Sequence, residues 1–232
     1  MGAIPTTATP ALRRLAACGS ARVAIATNEP VSSVPLRGVA DDGTSARSRE
    51  ALEALRAWAR QQGMSLLAAQ CDQAAAESPV GQWVGLRGPT GEANLYAVLP
   101  REEVLCLTEG ETHDADLLVQ LAAVLAVGSQ AVWPAQAQTL RERLPEAVRE
   151  HVALAQDWTQ SAVQLDAVLC HGSAATLLAV AASLAARAGP IVGLTGMEPG
   201  DTRIPLERLV IERSLSINTA AAGGNASLMT IA

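Results

Sequence analysis

Lysine is absent from this chain of 232 residues, and its 17 strongly basic side chains are all arginine. That absence removes a lysine-bearing phosphate loop, Schiff-base chemistry and any lysine reaching for a cofactor phosphate or ribose. Phenylalanine is missing too, and one tyrosine and four tryptophans make up the aromatic complement. A core without more rings has to be assembled from alanine, leucine and valine at close spacing. The net charge of −6, with no basic face in any segment, excludes nucleic acid as a partner, because neutralising phosphates needs concentrated positive charge. Cysteine occurs four times, as Cys18, Cys71, Cys106 and Cys170, too widely separated for a CxxC pair or a Cys/His zinc cluster. No apolar run of about twenty residues is present, which argues against membrane insertion. Residues 1–16 are interrupted by Pro5 and Pro10 and do not read as a secretory signal. The expected setting is the cytoplasm, with reduced thiols.

Charge is missing again at the end of the chain. From Ser214 to Ala232 there is no charged residue, no proline and no aromatic ring. Termini left in water are ordinarily polar and frayed, whereas Leu215, Ile217, Leu228, Met229 and Ile231 would stand exposed with nothing to keep them soluble. Burying each would contribute about 1.5–3 kcal/mol, while ordering the backbone costs about 1–2 kcal/mol per residue. Apolar contact alone therefore does not hold such a tail, and its backbone groups must also be paired. Residues 214–218 alternate polar and apolar as a strand does, and 220–224 contain only alanine and glycine, suited to close approach. The residues expected to dock on a partner are Leu215, Ile217, Asn218, Thr219, Gly223, Gly224, Asn225, Leu228 and Met229. The amides of Asn218 and Asn225 are expected to bond to backbone.

Residues 1–48 are rich in Pro, Thr, Ser, Gly and Ala, and read as a linker or irregular arm with one apolar patch at 22–26. Residues 49–62 place Leu52, Leu55 and Trp58 on one helical face, stopped by Gly63, and a second helix is expected over 65–76. The glycines and prolines of 78–91 predict a loop. Beyond it, strands are expected at 94–99, 103–107, 130–133, 151–155, 167–171 and 191–194. Helices are expected at 114–127, 135–144 and 173–188, and 206–211 suits either state. Short strands alternating with helices predict an α/β fold: a Rossmann-like, mainly parallel sheet with helices on both faces, and an extended C-terminal tail. The division that follows is an arm at 1–48, a helical connecting segment and loop at 49–92, the Rossmann-like domain at 93–212 and a docking tail at 213–232.

A dinucleotide site needs glycines at the first strand-to-helix turn. After 103–107 the turn reads TEGETHDAD, with one glycine and the carboxylates of Glu109, Glu111, Asp114 and Asp116, which would repel phosphate. Residues 88–92 resemble a phosphate loop only until the missing lysine is noticed, and read as a tight turn. Cys106 and Cys170 lie in apolar strand-like runs and are read as small buried hydrophobes. His171, after a strand and before a helix, is the best acid–base candidate, set against a capping or turn role because no carboxylate or nucleophile accompanies it locally. His113 among Glu111, Asp114 and Asp116 suggests a solvated helix start more than a metal site.

Several segments carry a family resemblance. ERSLSINTAAAGGNASLMTI at 212–231 closely resembles the closing motif of the bacterial proline utilization A (PutA) proteins. GPTGEANLYAVLPREEVLCL at 88–107, LAAVLAVGSQAVWP at 121–134, DAVLCHG at 166–172 and LERLVIERSLS at 206–216 are similar to the PutA C-terminal region as well. The resemblance covers roughly residues 50–232. It implies a part of a bifunctional enzyme that oxidises proline to glutamate, with FAD and NAD in its catalytic modules. In that family the region following the glutamate-semialdehyde dehydrogenase module is a non-catalytic relative of the aldehyde dehydrogenase nucleotide domain. Its closing motif docks on the catalytic module and helps close the cavity through which pyrroline-5-carboxylate passes. The implied partner is thus the semialdehyde dehydrogenase module, and no catalytic, metal or cofactor-binding residue is assigned within this chain. LAVGSQAVWPA is similar to the aldehyde dehydrogenase segment LAAGNxVVxKP, with Trp133 in place of the ribose-holding lysine. AVLCHGS resembles the xxFTGS turn, with His171 where threonine is usual. The dehydrogenase glutamate base and cysteine nucleophile have no match. The rival readings are a free-standing NAD- or nucleotide-binding module and a minor oxidoreductase, and a homodimer is compatible with any of these.

Overall fold

The computed structural model of the protein describes residues 44–81, 83–86, 92–110 and 114–218. The chain enters through helix α1 (Thr44–Gln61), turns at Gly63 with a positive φ of 72°, and returns as α2 (Ser65–Glu77). Arg56 and Arg60 of α1 share the Asp72 carboxylate of α2 at 2.7 and 3.2 Å across this exposed hairpin. Strands β1 (Trp83–Leu86), β2 (Glu92–Pro100) and β3 (Glu103–Thr108) follow, then α3 (Asp114–Val127) and β4 (Gln130–Pro134). A 3-10 turn (Ala135–Ala137) leads into the short helices α4 (Gln138–Arg143) and α5 (Glu146–Arg149), then β5 (Val152–Ala155) and β6 (Ala167–His171). Helix α6 (Ala174–Ala186), β7 (Gly193–Met197), a second 3-10 turn (Leu206–Arg208) and β8 (Val210–Asn218) complete the described chain.

Five strands form one parallel sheet in the order β5-β4-β3-β6-β7. Parallel strands covered on both faces read as unbroken apolar runs, and all five residues of β6, AVLCH, are buried. Alternate side chains point to opposite faces. Val104, Cys106, Trp133 and Leu169 join a core with α1, α2 and α3, whereas Leu105, Leu107, Val132 and Val168 join a second core with Val180 of α6. Helix α3 is buried nearly all round because it lies between the sheet and the α1–α2 hairpin, which explains DLLVQLAAVLAV. Gly128, with φ 90°, ends it in the left-handed conformation that glycine tolerates best. The α/β, Rossmann-like sheet with helices on both faces is therefore present as read from the sequence.

Three local expectations need correction. A strand, β1, forms inside the segment 78–91 expected to be loop, because β2 offers it a full antiparallel partner from Trp83↔Ala97 to Leu86↔Asn94. The strand expected at 191–194 sits at Gly193–Met197, set by its pairing with β6, Ala167↔Gly193 through His171↔Met197. Finally, β2 does not join the parallel sheet. It is the centre of a separate antiparallel sheet, β1-β2-β8, whose long register runs from Glu92↔Asn218 to Pro100↔Val210.

The two sheets meet at one corner. Arg101 N–H donates to the Leu209 carbonyl at 2.9 Å, and its guanidinium donates to the carbonyls of Arg208 and Asp166 at 3.1 and 3.2 Å. The Asp166 carboxylate accepts the backbone N–H groups of Glu102 and Glu103, both at 3.0 Å. Near this corner Ala97, Val98 and Val210 are buried, while Leu95, Leu215 and Ile217 at the far end of the antiparallel sheet are half-buried.

Candidate functional site

In a sheet ordered β5-β4-β3-β6-β7 the chain builds outward from β3 in one direction and then returns to start β6 on the other side. The crevice beyond the carboxyl ends of β3 and β6 is the place where open α/β sheets bind ligands. Here it contains Glu109 and Gly110 after β3, Gly172 and Ser173 after β6, and residues 198–201 after β7.

The N-terminus of α6 opens into this crevice, and Glu109 caps it. Glu109 N–H donates to the His171 carbonyl at 2.8 Å, which folds its side chain back over the turn. Its carboxylate accepts Ser173 N–H at one oxygen (2.7 Å) and the hydroxyls of Ser173 and Thr176 at the other (2.7 Å each). The Ser173 hydroxyl in turn accepts from Thr176 N–H as an N-cap. Gly172 makes room for this: a Cβ there would lie 2.9 Å from Thr176 Cγ2 and 3.5 Å from Glu109 Cβ.

His171 is fully buried and engaged at both ring nitrogens. Nε2 lies 2.8 Å from the Asp201 carbonyl and Nδ1 lies 2.7 Å from Gln120 Nε2. Gln120, on α3, also donates to the Leu107 carbonyl at 2.9 Å. Asp116, likewise on α3, accepts Gly200 N–H at 3.1 Å. These bonds fasten the turn after β7 to the sheet and to α3, so His171 is spent on structure in this arrangement. An open cleft of about 450 Å³ remains beside α6, lined by Ser173, Leu177, Gly196, Met197, Glu198 and Pro199.

The other residues singled out from the sequence fall away from the crevice. Trp133 is completely buried in the core on the α1–α3 side, out of reach of any ribose. Cys106 and Cys170 are buried in strands; burial pushes the Cys170 thiol up to about 11, Glu109 adding to it, and raises the Cys106 thiol as well. Neither has the electropositive, accessible setting a nucleophile requires. Asp114 pairs with Arg143 at 3.2 Å, while Glu111, His113 and residues 88–91 lie outside the described residues. Among the described residues no group of three or more His, Cys, Asp or Glu is placed to hold a metal ion, and no helix is long and apolar enough to cross a membrane.

Of the expected docking residues, Leu215 and Ile217 lie in β8 opposite Leu95 and Ala93, and Asn218 stands opposite Glu92. Thr219, Gly223, Gly224, Asn225, Leu228 and Met229 are outside the described residues. Among the described residues β8 pairs with β2 alone, which leaves it as an edge strand. An uncharged surface lies on α6, which carries no ionisable side chain along its length and holds Leu178 72% exposed among exposed alanines. Sequence reasoning missed the roles of Glu109 and Gln120. The available signals were a carboxylate directly after a strand that neighbours a Gly-Ser helix start, and a glutamine inside an otherwise apolar helix.

No protein-family model matches the chain. The bifunctional protein PutA of Escherichia coli strain K12 is 50% identical over 182 residues, 78% of this chain and 13% of that protein. The bifunctional protein PutA of Rhizobium meliloti is 38% identical over 165 residues, 68% of this chain and again 13% of that protein. The chain thus spans 13% of the length of the curated relatives it matches. Among solved structures, PutA from Bdellovibrio bacteriovorus inactivated by N-propargylglycine superposes with a TM-score of 0.50 at 13% identity, over 67% of this chain and 20% of that one. That likeness is one of fold.

Proposed function

This chain belongs to the PutA family, and from that premise we propose that it is the non-catalytic, aldehyde-dehydrogenase-like C-terminal domain of a proline-oxidising enzyme of the PutA type. Its partner is the glutamate-semialdehyde dehydrogenase module, and its task is to help close the cavity through which the intermediate passes. FAD and NAD belong to the catalytic modules, the setting is cytoplasmic, and this domain contributes no reacting group of its own.

The observation that carries the reading is the position of β8. It leaves the inter-sheet corner as an edge strand, reaches Asn218 with one side unpaired among the described residues, and leads directly into the uncharged segment 219–232. An edge strand presents a row of backbone donors and acceptors to another chain. Continuation into apolar side chains supplies the surface that such pairing alone lacks. Covalent tethering makes the encounter intramolecular, so a weak tail suffices. A lid that excludes water keeps a hydrolysable intermediate enclosed.

The test is complementation. The intact chain added to a PutA protein lacking its C-terminal region is expected to restore proline-dependent NAD reduction, and a chain lacking 219–232 but retaining β8 is expected not to. Failure of the intact chain to restore activity, or saturable NAD binding by the chain alone in the micromolar range, would overturn the reading.

A further inference from the structure

The geometry points to Glu109 as a resident anion, whose carboxylate occupies the donors at the α6 N-terminus that would otherwise take a phosphate group and so bars phosphoesters from the switch point. The donors are a backbone N–H in the helix cap and the hydroxyls of Ser173 and Thr176, all at 2.7 Å from Glu109 oxygens. A main-chain amide and two hydroxyls converging on the positive end of a 13-residue helix form the chemical set that phosphate uses elsewhere. They lie where β3 and β6 diverge, the ligand position of this sheet architecture. Two independent features fit a built-in anion. Gly172 leaves room for Thr176, whose hydroxyl donates to Glu109, since a Cβ there would come within 2.9 Å of Thr176 Cγ2. The Glu109 backbone is itself fixed by the His171 carbonyl, so the carboxylate is delivered by the sheet and not by a wandering side chain.

A phosphate entering the crevice would have to displace three short bonds to a charged acceptor and meet that acceptor's negative charge at contact distance. The chain has no lysine with which to compensate. Glu109 therefore acts as a specificity-determining residue, and its effect is exclusion. This assignment concerns the chain alone, and it stands or falls apart from docking on a dehydrogenase module.

The experiment is titration of the full chain with inorganic phosphate and pyrophosphate, followed by calorimetry and by 31P line broadening, for the parent, Glu109→Ala, Glu109→Gln and the double variant Glu109→Ala with Ser173→Ala. The parent is expected to show no saturable binding. Glu109→Ala should bind pyrophosphate at least about tenfold more tightly, and the added Ser173→Ala should remove most of that gain. A folded Glu109→Ala chain that binds no better than the parent overturns the proposal, as does a parent that binds pyrophosphate equally well. Should Glu109→Ala not fold, the isosteric and uncharged Glu109→Gln decides: a gain over the parent supports the proposal and no gain overturns it.

Discussion

His171 Nδ1 lies 2.7 Å from Gln120 Nε2, joining the central region of the parallel sheet to the buried helix α3 through two side chains that are each 0% exposed. The opposite ring nitrogen faces the Asp201 carbonyl, which can only accept, so Nε2 carries the proton and Nδ1 accepts from the Gln120 amide. Gln120 spends its other amide hydrogen on the Leu107 carbonyl.

Replacing Gln120 with leucine keeps the volume roughly constant and strands one buried acceptor, His171 Nδ1, while the Leu107 carbonyl keeps its place in the β3–β6 ladder. Leaving that ring nitrogen unpaired costs about 1–3 kcal/mol. Urea unfolding should show a lower midpoint with an unchanged slope. A variant as stable as the parent would mean that this chain of bonds contributes nothing net.

His151 provides the pH dependence. It is buried at the start of β5 with Nδ1 3.1 Å from Gln130 Nε2, and burial holds its pKa below the usual value; nearby Arg47 lowers it further and Glu150 opposes. The unfolded chain therefore takes up the proton first as pH falls. Stability is unaffected while both states are neutral, declines as pH drops through about 6.5, and levels off below the depressed folded value. His151→Gln should flatten that part of the profile. Glu103, whose carboxyl is pushed up by burial and then by Asp166 and Glu102, works at more acidic pH and in the opposite sense. The difference between the two proteins isolates the histidine, and equal slopes between about pH 7.5 and 5.5 would count against this assignment.

Three thiols are expected to be inert in the folded protein. Burial pushes Cys71 up to about 12 and Cys170 up to about 11, and raises Cys106 as well. Alkylation with iodoacetamide at mildly alkaline pH should leave all three unmodified, and denaturant should expose them together. Peptide mass mapping separates them from Cys18, which lies outside the described residues. Rapid native labelling of Cys106 would contradict the packing of β3.

The parallel sheet was legible because its residues are informative on their own. α3 falls at Asp114–Val127 as expected, marked by acids in its first turn and by Gly128 beyond its last. β6 reads as a buried strand because AVLC has no polar interruption. The second sheet was not legible for a physical reason: the apolar run at 94–99 and the alternation in 214–218 identify strands but not their partners, and β1 exists only because β2 is there to pair with it. From the sequence Glu109 reads only as one of four carboxylates that would repel phosphate in bulk. Its actual arrangement depends on β3 and β6 being neighbours, which separation by more than sixty residues hides.

The corner between the sheets carries the last prediction. Asp166 accepts the N–H groups of Glu102 and Glu103, which begin β3, while its carbonyl and that of Arg208 receive the Arg101 guanidinium. One side chain therefore starts the parallel sheet at the point where the antiparallel sheet hands the chain over. The carboxylate is exposed to solvent, so its loss should resemble that of a helix-capping side chain, about 0.5–2 kcal/mol for Asp166→Ala. Asp166→Asn, which keeps an acceptor but not the charge, should lose less. The distinctive consequence is local: hydrogen exchange at Arg101 N–H, which reports its bond to the Leu209 carbonyl, should accelerate more than exchange within β6. If both regions accelerated equally, Asp166 would be stabilising the fold as a whole, and the corner would not be a separable joint from which β8 is aimed.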